Sequence, residues 1–479
     1  MNYSIVFYII GWILNFEAAF MALPTAVALI YRESEVWCFL ATMAVCLMVG
    51  MLLVRRKPKN QIFYVAESFV AVSLSWVLLS VMGAAPFVLS GYIPNPIDAL
   101  FETVSGFTTT GASILSSVEQ LPNCLLFWRS FTHWIGGMGV LVFLLSVLPM
   151  VGGSHMNLMK AESPGPIVSR LVPKVQMTAK LLYQIYLGMT ILEAVILILG
   201  KMPIFDAITI TVGTAGTGGF AIRNDSLASY TAFQKNVVTV FMILFGVNFN
   251  FYFFLLMRKI GQAFKMQEVR AYFLIIASAV GIITVNTVLL CGNALQAFQD
   301  AAFQVGSVIT TTGYATVDFD KWPQLSRTIM VLLMFIGACA GSTGGGIKVS
   351  RVLILLKSVK KELKQYLHPS AVEKIKMDGK IVEHEVVRST NVFMVAYVLI
   401  FAVSVLLISL DEYDLVTNFT AVTATFNNIG PGLALVGPTG NFGFFSNFSK
   451  VVLIFDMLAG RLEIFPLLLL FSRETWKRF

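Results

Sequence analysis

Charged side chains are scarce in this sequence. Only 13% of its 479 residues are Asp, Glu, Lys or Arg, whereas 57% are hydrophobic, and the mean hydropathy is +0.79. A water-soluble domain of this composition would expose large apolar patches and aggregate, so the composition excludes one. The solvent for most of the chain is therefore a lipid bilayer.

Cysteine and histidine are rare as well. The five cysteines lie in or beside apolar stretches without paired spacing, which is typical of small core residues. The four histidines show no metal-ligand spacing. These patterns favour neither a metal centre nor nucleophilic catalysis, and we predict that the chain is not an enzyme.

Apolar stretches of membrane-spanning length recur along the whole chain. A helix needs about 20 apolar residues to cross a bilayer, and ten stretches are candidates. They are 5–30, 36–54, 62–90, 125–151, 181–200, 236–257, 271–292, 325–356, 391–410 and 448–472. Basic residues follow every second stretch, so the positive-inside rule predicts that these loops and both termini are cytoplasmic.

Four glycine-containing loops recur at a period of roughly 100 residues, which indicates an internal repeat. The loops are 109–113, 217–221, 311–315 and 428–432, with central glycines Gly111, Gly219, Gly313 and Gly430. Asp98, Asp206 and Asp300 each stand 13 positions before their glycine, whereas the fourth copy has Thr417 there.

The stretch between each of these positions and its glycine is too short to cross a bilayer. It fits a half-helix that enters the membrane and turns back. Pro96 and Pro203 suit helix starts, and an Asp in the first turn complements the positive helix end.

We predict an all-α polytopic membrane protein with four pseudo-fourfold repeats of span, pore helix and span around a central pore. The predicted units are two leading helices in 1–60 and repeats in 61–180, 181–270, 271–388 and 389–479.

The loops themselves suit a monovalent cation. Glycine lets carbonyl oxygens point inward, and a ring of neutral oxygens can replace the water shell of such an ion. The loops carry no carboxylates, which argues against a calcium site. The predicted ion-binding residues are Thr109, Thr110, Gly111, Thr217, Gly218, Gly219, Thr311, Thr312, Gly313, Asn428, Ile429 and Gly430.

The loops resemble a degraded form of the potassium-channel filter Thr-Val-Gly-Tyr-Gly. The segments 101–113, 136–139, 214–220 and 427–432 are similar to signatures of bacterial potassium uptake proteins of the TrkH type, within the TrkH, TrkG and KtrB superfamily. Two leading spans favour TrkH over the shorter KtrB. The resemblance implies potassium at the filter, a pore within each subunit, a homodimer, the bacterial inner membrane, and a cytosolic nucleotide-binding regulator of the TrkA type with an RCK fold.

The filter departs from strict fourfold symmetry. Gly218 and Ile429 replace the second threonine, so two loops have fewer hydroxyls than Thr110 and Thr312 provide. We therefore expect looser discrimination between potassium and sodium than in a channel with four identical loops.

The glycine-rich segment 337–348 interrupts the eighth apolar stretch. Glycines and a lysine disfavour a continuous lipid-facing helix, so we expect a break here. The resemblance implies an intramembrane gating loop beneath the filter. In this reading Gly344, Gly345 and Gly346 give mobility, and Lys348 lies near the cytoplasmic end.

Charges within the apolar stretches need partners. The resemblance implies that Arg461 lies in the pore near the gating loop, as an electrostatic barrier bonded to loop carbonyls. The alternative is that Arg461 pairs with Asp456 or Glu463. Most of the remaining embedded charges are expected in ion pairs or caps. They are Glu17, Glu67, Arg129 and Glu193.

Two other classes of function fit the sequence less well. The segment 216–221 fits a loose dinucleotide pattern but lacks a downstream acid, and 346–349 lacks the adjacent residues of a phosphate loop, so we expect no nucleotide on this chain. An alternating-access carrier usually has two inverted halves, whereas these repeats run in one direction. Symport of potassium with Na⁺ or H⁺ remains an alternative within the same plan.

Overall fold

The computed structural model describes residues 2–55, 57–58, 65–137, 139, 175–369 and 373–476. Met138, His155, the end of the fourth apolar stretch and several of the basic residues used for orientation lie outside this range. The described chain is mainly helical. Its α-helices are Tyr3–Tyr31, Val36–Val54, Val65–Leu89, Pro96–Phe107, Asn123–Gly137, Val175–Leu199, Ile204–Gly216, Ala232–Phe245, Phe249–Leu256, Ile260–Ala263, Gln267–Cys291, Ala294–Ile309, Gln324–Ile336, Val349–Leu367, His384–Ile408, Leu415–Phe426, Asn447–Arg461 and Phe465–Phe471.

Long apolar helices form the frame of the molecule. Within the described ranges six are long and apolar enough to cross a membrane, or seven if one bent pair is counted as a single span. That pair, Ala232–Phe245 and Phe249–Leu256, bends by 92°. The expectation of one continuous helix over 236–257 is therefore wrong. The stretches 325–356 and 448–472 are also divided into two helices each.

Four short helices occupy the predicted half-helix positions. These pore helices are Pro96–Phe107, Ile204–Gly216, Ala294–Ile309 and Leu415–Phe426. Asp98 and Asp206 lie in the first turns of their helices, as predicted. Asp300 does not, because the third pore helix already begins at Ala294, where Asn293 caps it.

The fourth pore helix has an acid at its start after all. Asp414 is its N-cap residue, and a carboxylate oxygen accepts a hydrogen bond from the N–H of Thr417 at 3.0 Å. The comparison at a fixed offset missed it because Asp414 lies three residues before Thr417. An acid in this place favours the positive helix end just as Asp98 and Asp206 do.

A small antiparallel hairpin supplies the only strands in the described part of the chain. Its strands are Lys376–Met377 and Lys380–Ile381. Ile375, Met377 and Val382 pack with Ile354 of the helix Val349–Leu367. The hairpin is thereby attached to the helix that follows the glycine-rich segment.

Candidate functional site

The four pore helices all end in the same way. In the first repeat Thr109 N–H donates to the Gly106 carbonyl at 3.0 Å, and Thr110 N–H donates to the Ser105 carbonyl at 2.8 Å. The other three repeats have the same two bonds at equivalent positions. This is the Schellman arrangement, which ends a helix with one left-handed residue.

The left-handed residues at these helix ends are strained. They are Thr109, Thr217, Thr311 and Asn428, with φ of 57°, 54°, 58° and 55°. Three of them are β-branched, a residue type for which positive φ is an outlier that costs about 1–3 kcal/mol. The same strain at the same position of four repeats indicates a conformation kept for function.

The four loops close into a ring. Each central glycine lies against the carbonyl that precedes the glycine of the next loop, and the fourth loop lies against the first. These contacts are so close that a Cβ could not be added to the glycines. A Cβ built on Gly111 would lie 1.9 Å from the Gly218 carbonyl oxygen, and one on Gly219 would lie 1.9 Å from the Thr312 carbonyl oxygen. The corresponding distances are 2.1 Å from Gly313 to the Ile429 oxygen and 2.9 Å from Gly430 to the Thr110 oxygen. All four glycines also line one cavity. The ring therefore brings the predicted filter residues of all four repeats together.

We name the pore-helix side of this ring, at Thr109, Thr217, Thr311 and Asn428, its inner end. The side of the cavity lined by the four glycines is its outer end. Since the last carbonyls of each pore helix face the ring, their partial negative charge favours a cation there.

Threonine hydroxyls brace two of the loops. The hydroxyl of Thr110 lies 2.8 Å from that of Thr108, and the same pair recurs at Thr310 and Thr312. The side-chain amide of Asn428 donates to the Thr110 hydroxyl at 2.9 Å, which joins the fourth loop to the first. These hydroxyls hold the loops in shape, so backbone carbonyls are the main oxygens offered by the ring.

His133 is a filter neighbour that sequence analysis did not identify. Its Nδ1 lies 2.8 Å from the Gly106 carbonyl, and its Nε2 accepts a hydrogen bond from the N–H of Phe220 at 3.2 Å. A carbonyl can only accept and an N–H can only donate, so the ring is neutral with its proton on Nδ1. Its contacts are visible only once the first two repeats are folded together.

The glycine-rich segment 337–348 folds back on itself. The helix Gln324–Ile336 ends at Gly337, and the next helix begins at Val349. Between them, the N–H groups of Ile347 and Lys348 donate to the carbonyls of Phe335 and Ile336 at 3.1 and 3.0 Å. The expected break is confirmed, and it is a loop rather than a kink.

This loop lies directly against the inner end of the ring. Gly345 N–H donates to the Thr311 hydroxyl at 2.6 Å. A Cβ on Gly345 would lie 2.5 Å from the Asn427 carbonyl oxygen, and one on Gly344 would lie 2.7 Å from that of Thr310. Glycine is therefore needed at both positions for the approach to the third and fourth loops.

Lys348 does not lie at an exposed end of the segment. Its side chain is buried, and the ammonium donates to the Gly344 carbonyl. Lys348 therefore braces the folded loop from within. Lys348 directly precedes the helix Val349–Leu367, and its place near the cytoplasmic end stays a prediction.

Glu268 holds the other side of the loop and was not identified from the sequence. One carboxylate oxygen accepts from the N–H groups of Ala340 and Ser350 at 2.7 and 3.1 Å. The other accepts from the Asn248 amide at 3.2 Å, at the bend between the helices Ala232–Phe245 and Phe249–Leu256. In the sequence Glu268 looks like an ordinary first-turn acid of the next helix.

Arg461 connects three parts of the pore. Its guanidinium donates to the Thr343 carbonyl at 3.0 Å, to the Gly137 carbonyl at 2.9 Å and to the Gly136 carbonyl. A positive charge thus lies beside the glycine-rich segment 337–348.

The acids proposed as alternative partners of Arg461 have other contacts. Glu463 forms an ion pair with Arg351, and Asp456 accepts a hydrogen bond from Ser404 at 2.6 Å.

Comparisons with known proteins identify the family of the chain. The family model named TrkH, described as a cation transport protein, matches residues 36–478. The chain belongs to the TrkH family. The resemblance noted from the filter motifs is therefore confirmed.

Named relatives match the TrkH-family chain from end to end. The Trk system potassium uptake protein TrkH of Salmonella typhimurium is 37% identical, with 100% of both chains covered. TrkG of Escherichia coli is 34% identical, covering 99% of this chain and 98% of the relative. The crystal structure of the potassium transporter TrkH from Vibrio parahaemolyticus matches with a TM-score of 0.89 and 34% identity over 100% of both chains. The predicted fold class is confirmed.

The other embedded charges divide into two groups. Arg129 forms a buried ion pair with Glu102, and Glu67 accepts a hydrogen bond from the N–H of Asn2, as expected. Glu17 and Glu193 are buried and have no ion-pair partner among the described residues. The expectation that most of these four charges are in ion pairs or caps is therefore borne out for Arg129 and Glu67, but among the described residues not for Glu17 and Glu193.

Proposed function

We propose that this chain takes up potassium across the bacterial cytoplasmic membrane through the ring of four filter loops. The observation that carries the proposal is the closed ring of carbonyls, each against the glycine of the neighbouring loop. Neutral oxygens with the negative ends of half-helices behind them suit a monovalent cation. Relatives named potassium uptake proteins support potassium as that cation.

We place the gate in segment 337–348 together with Arg461. The loop narrows the path at the inner end of the ring, where Gly345 binds Thr311 and Arg461 binds Thr343. Opening requires that the glycines Gly344, Gly345 and Gly346 move away and that these bonds break. Arg461 adds an electrostatic barrier to cations while the loop is in place.

The orientation of the pore in the membrane and its protein partners are part of the same proposal. The distribution of basic residues supports a cytoplasmic location for the gating side and both termini. Membership of the TrkH family supports a homodimer and a TrkA-like cytosolic subunit that senses nucleotide and acts on the gate. The chain itself contributes the pore and no nucleotide site.

Flux through purified protein in liposomes tests the proposal. We expect potassium and rubidium to enter faster than sodium, and Gly111→Ala to abolish entry because its Cβ would lie 1.9 Å from the Gly218 carbonyl oxygen. Gly188→Ala is the matched control, since nothing lies within 4 Å of a Cβ there. Entry no faster than in protein-free liposomes, or unchanged by Gly111→Ala, contradicts the proposal.

Symport of potassium with Na⁺ or H⁺ is the second candidate. It is favoured by Glu17 and Glu193, because buried carboxylates in membrane helices mark proton and ion pathways. Single-channel recording separates the two. Discrete single-channel current steps support a channel, because a carrier cycle is too slow to produce them, whereas potassium uptake without such steps that is driven by an imposed sodium or proton gradient supports symport.

A further inference from the structure

A buried ion pair lies behind the filter in the first repeat. Glu102 belongs to the first pore helix, nine positions before Gly111, and Arg129 belongs to the helix Asn123–Gly137. Their side chains are 0% and 2% exposed, and the Arg129 guanidinium lies 2.7 Å from a carboxylate oxygen of Glu102. A charge buried to this extent is stable only when it is paired and its remaining positions are hydrogen-bonded.

The remaining hydrogen bonds of the pair go to two different filter loops. Glu102 accepts from the Ser113 hydroxyl at 3.0 Å and from the Ile114 N–H at 3.0 Å, just beyond Gly111. Arg129 donates to the Ala221 carbonyl at 3.2 Å, two residues beyond the second filter glycine. The pair therefore connects the outer ends of the first and second loops.

Arg129 makes two further contacts that strengthen this connection. Its guanidinium lies 4.0 Å from the centre of the Phe220 ring, in the second loop. It also donates to the Ser113 hydroxyl at 3.3 Å, so that this hydroxyl contacts both charges. Arg129, Ser113 and Ala221 all line the cavity that the four filter glycines share. The connection thus lies at the outer entrance to the ring.

The other repeats have no charge at the position of Glu102. It is occupied by Ile210, Gln304 and Ala421 in the second, third and fourth repeats. Gln304 reaches the chain beyond its own filter glycine, and its amide donates to the Thr316 hydroxyl and the Val317 carbonyl at 3.4 and 3.3 Å. The third repeat has a neutral and longer version of the contact, and only the first repeat uses an ion pair.

We propose that Glu102 and Arg129 are positioning residues that fix the spacing of the first two filter loops and thereby the discrimination between potassium and sodium. The inference rests on the proposed potassium pathway. A ring of carbonyls favours one ion by the distance and field of its oxygens, so a loop that relaxes outward or inward changes that preference. Neither side chain needs to touch the ion for this effect.

The test is the sodium-to-potassium permeability ratio of purified protein in bilayers. Glu102→Gln makes the first repeat resemble the third and leaves Arg129 unpaired, and Ser113→Ala removes the shared hydroxyl with little change in volume. We expect the ratio to rise about threefold or more in Glu102→Gln and by a smaller factor in Ser113→Ala. The permeability ratio of the double variant Glu102→Gln with Arg129→Gln should be no higher than that of the more affected single variant, because the two residues act through one contact.

Asp98→Asn is the matched control. Asp98 belongs to the same pore helix and pairs with Lys450 at 2.6 Å, but at the end away from the filter. We expect its loss to leave the permeability ratio unchanged. The ratio does not depend on the amount of folded protein, so a merely structural role for Glu102 would not move it.

The measured permeability ratios can overturn the proposal in two ways. A ratio unchanged in Ser113→Ala and in every Glu102 or Arg129 variant that folds overturns the proposal, and so does an equal rise in Asp98→Asn. Should Glu102→Gln fail to fold, Ser113→Ala and Arg129→Lys carry the test. Failure of the unmodified protein to pass potassium would instead overturn the proposed function.

Discussion

At the filter four repeats contribute the same backbone conformation, whereas at the proposed gate the two main elements come from the third and fourth repeats and are unlike each other. The filter uses a left-handed residue and a glycine in each loop, and the side chains vary. The proposed gate combines one glycine-rich loop after the third filter loop with one arginine after the fourth. A shared backbone suits a ring that surrounds an ion, while a barrier needs to enter the path from one side only.

The largest effect is expected where a substitution breaks the ring. Gly219→Ala would place a Cβ 1.9 Å from the Thr312 carbonyl oxygen, and positive φ at this residue adds strain. We expect potassium flux in liposomes to fall about a hundredfold or more, since overpacking here must distort two loops. Gly281→Ala, where a Cβ meets nothing within 4 Å, should keep normal flux. Normal flux in both variants would contradict the ring as the ion pathway.

Removing the arginine of the proposed gate should change the flux in the opposite direction. Arg461→Ala deletes the bonds to Thr343, Gly136 and Gly137. Loss of charge-assisted hydrogen bonds and of the barrier should raise basal flux about tenfold. Arg461→Lys keeps the charge but not the three contacts, so its basal flux should lie between that of the unmodified protein and that of Arg461→Ala. Flux that is unchanged or lower at equal expression would favour a purely structural arginine.

A smaller increase is expected when the loop is loosened from its other side. Glu268→Gln keeps the shape of the side chain but replaces one carboxylate oxygen with a donor, which weakens the bonds to Ala340, Ser350 or Asn248. Basal flux should rise about threefold. Glu474→Gln, an acid outside the membrane-spanning helices, serves as the control for loss of one negative charge. Equal flux in both variants would show that Glu268 does not hold the gate.

The smallest effect concerns the inequality of the four loops. Thr110 and Thr312 have bracing hydroxyls, but Gly218 and Ile429 do not. We expect the reversal potential in mixed potassium and sodium to fall measurably short of the potassium Nernst value. Ile429→Thr should move it toward that value. A reversal potential equal to the Nernst value in the unmodified protein removes the basis of this expectation.

The filter could be predicted from the sequence because its determinants are local. A Schellman helix end needs a particular order of residues over a few positions, and four copies of that order are visible as Gly111, Gly219, Gly313 and Gly430. The fixed offset to an acid was less reliable. It placed Asp300 in a first turn although the third pore helix begins six residues earlier.

The contacts of the proposed gate were only partly predictable from the sequence, because they join distant parts of the chain. The glycines of segment 337–348 indicated a break, but nothing nearby shows that Glu268 binds its backbone from 72 positions away. His133 likewise contacts Phe220 across 87 positions. The sharp bend after Phe245 has a single glycine, Gly246, which is too weak a signal to predict a 92° turn.

The closed ring within one chain has a consequence for how such a pore can change over generations. In a channel assembled from four identical subunits, one codon change alters four positions of the filter at once. Here Ile429 differs from Thr110, Gly218 and Thr312, and Asn428 differs from Thr109, Thr217 and Thr311, and such a difference needs a change in one repeat alone. Selection can therefore change one of the four filter loops at a time, and each repeat can acquire a separate function after duplication.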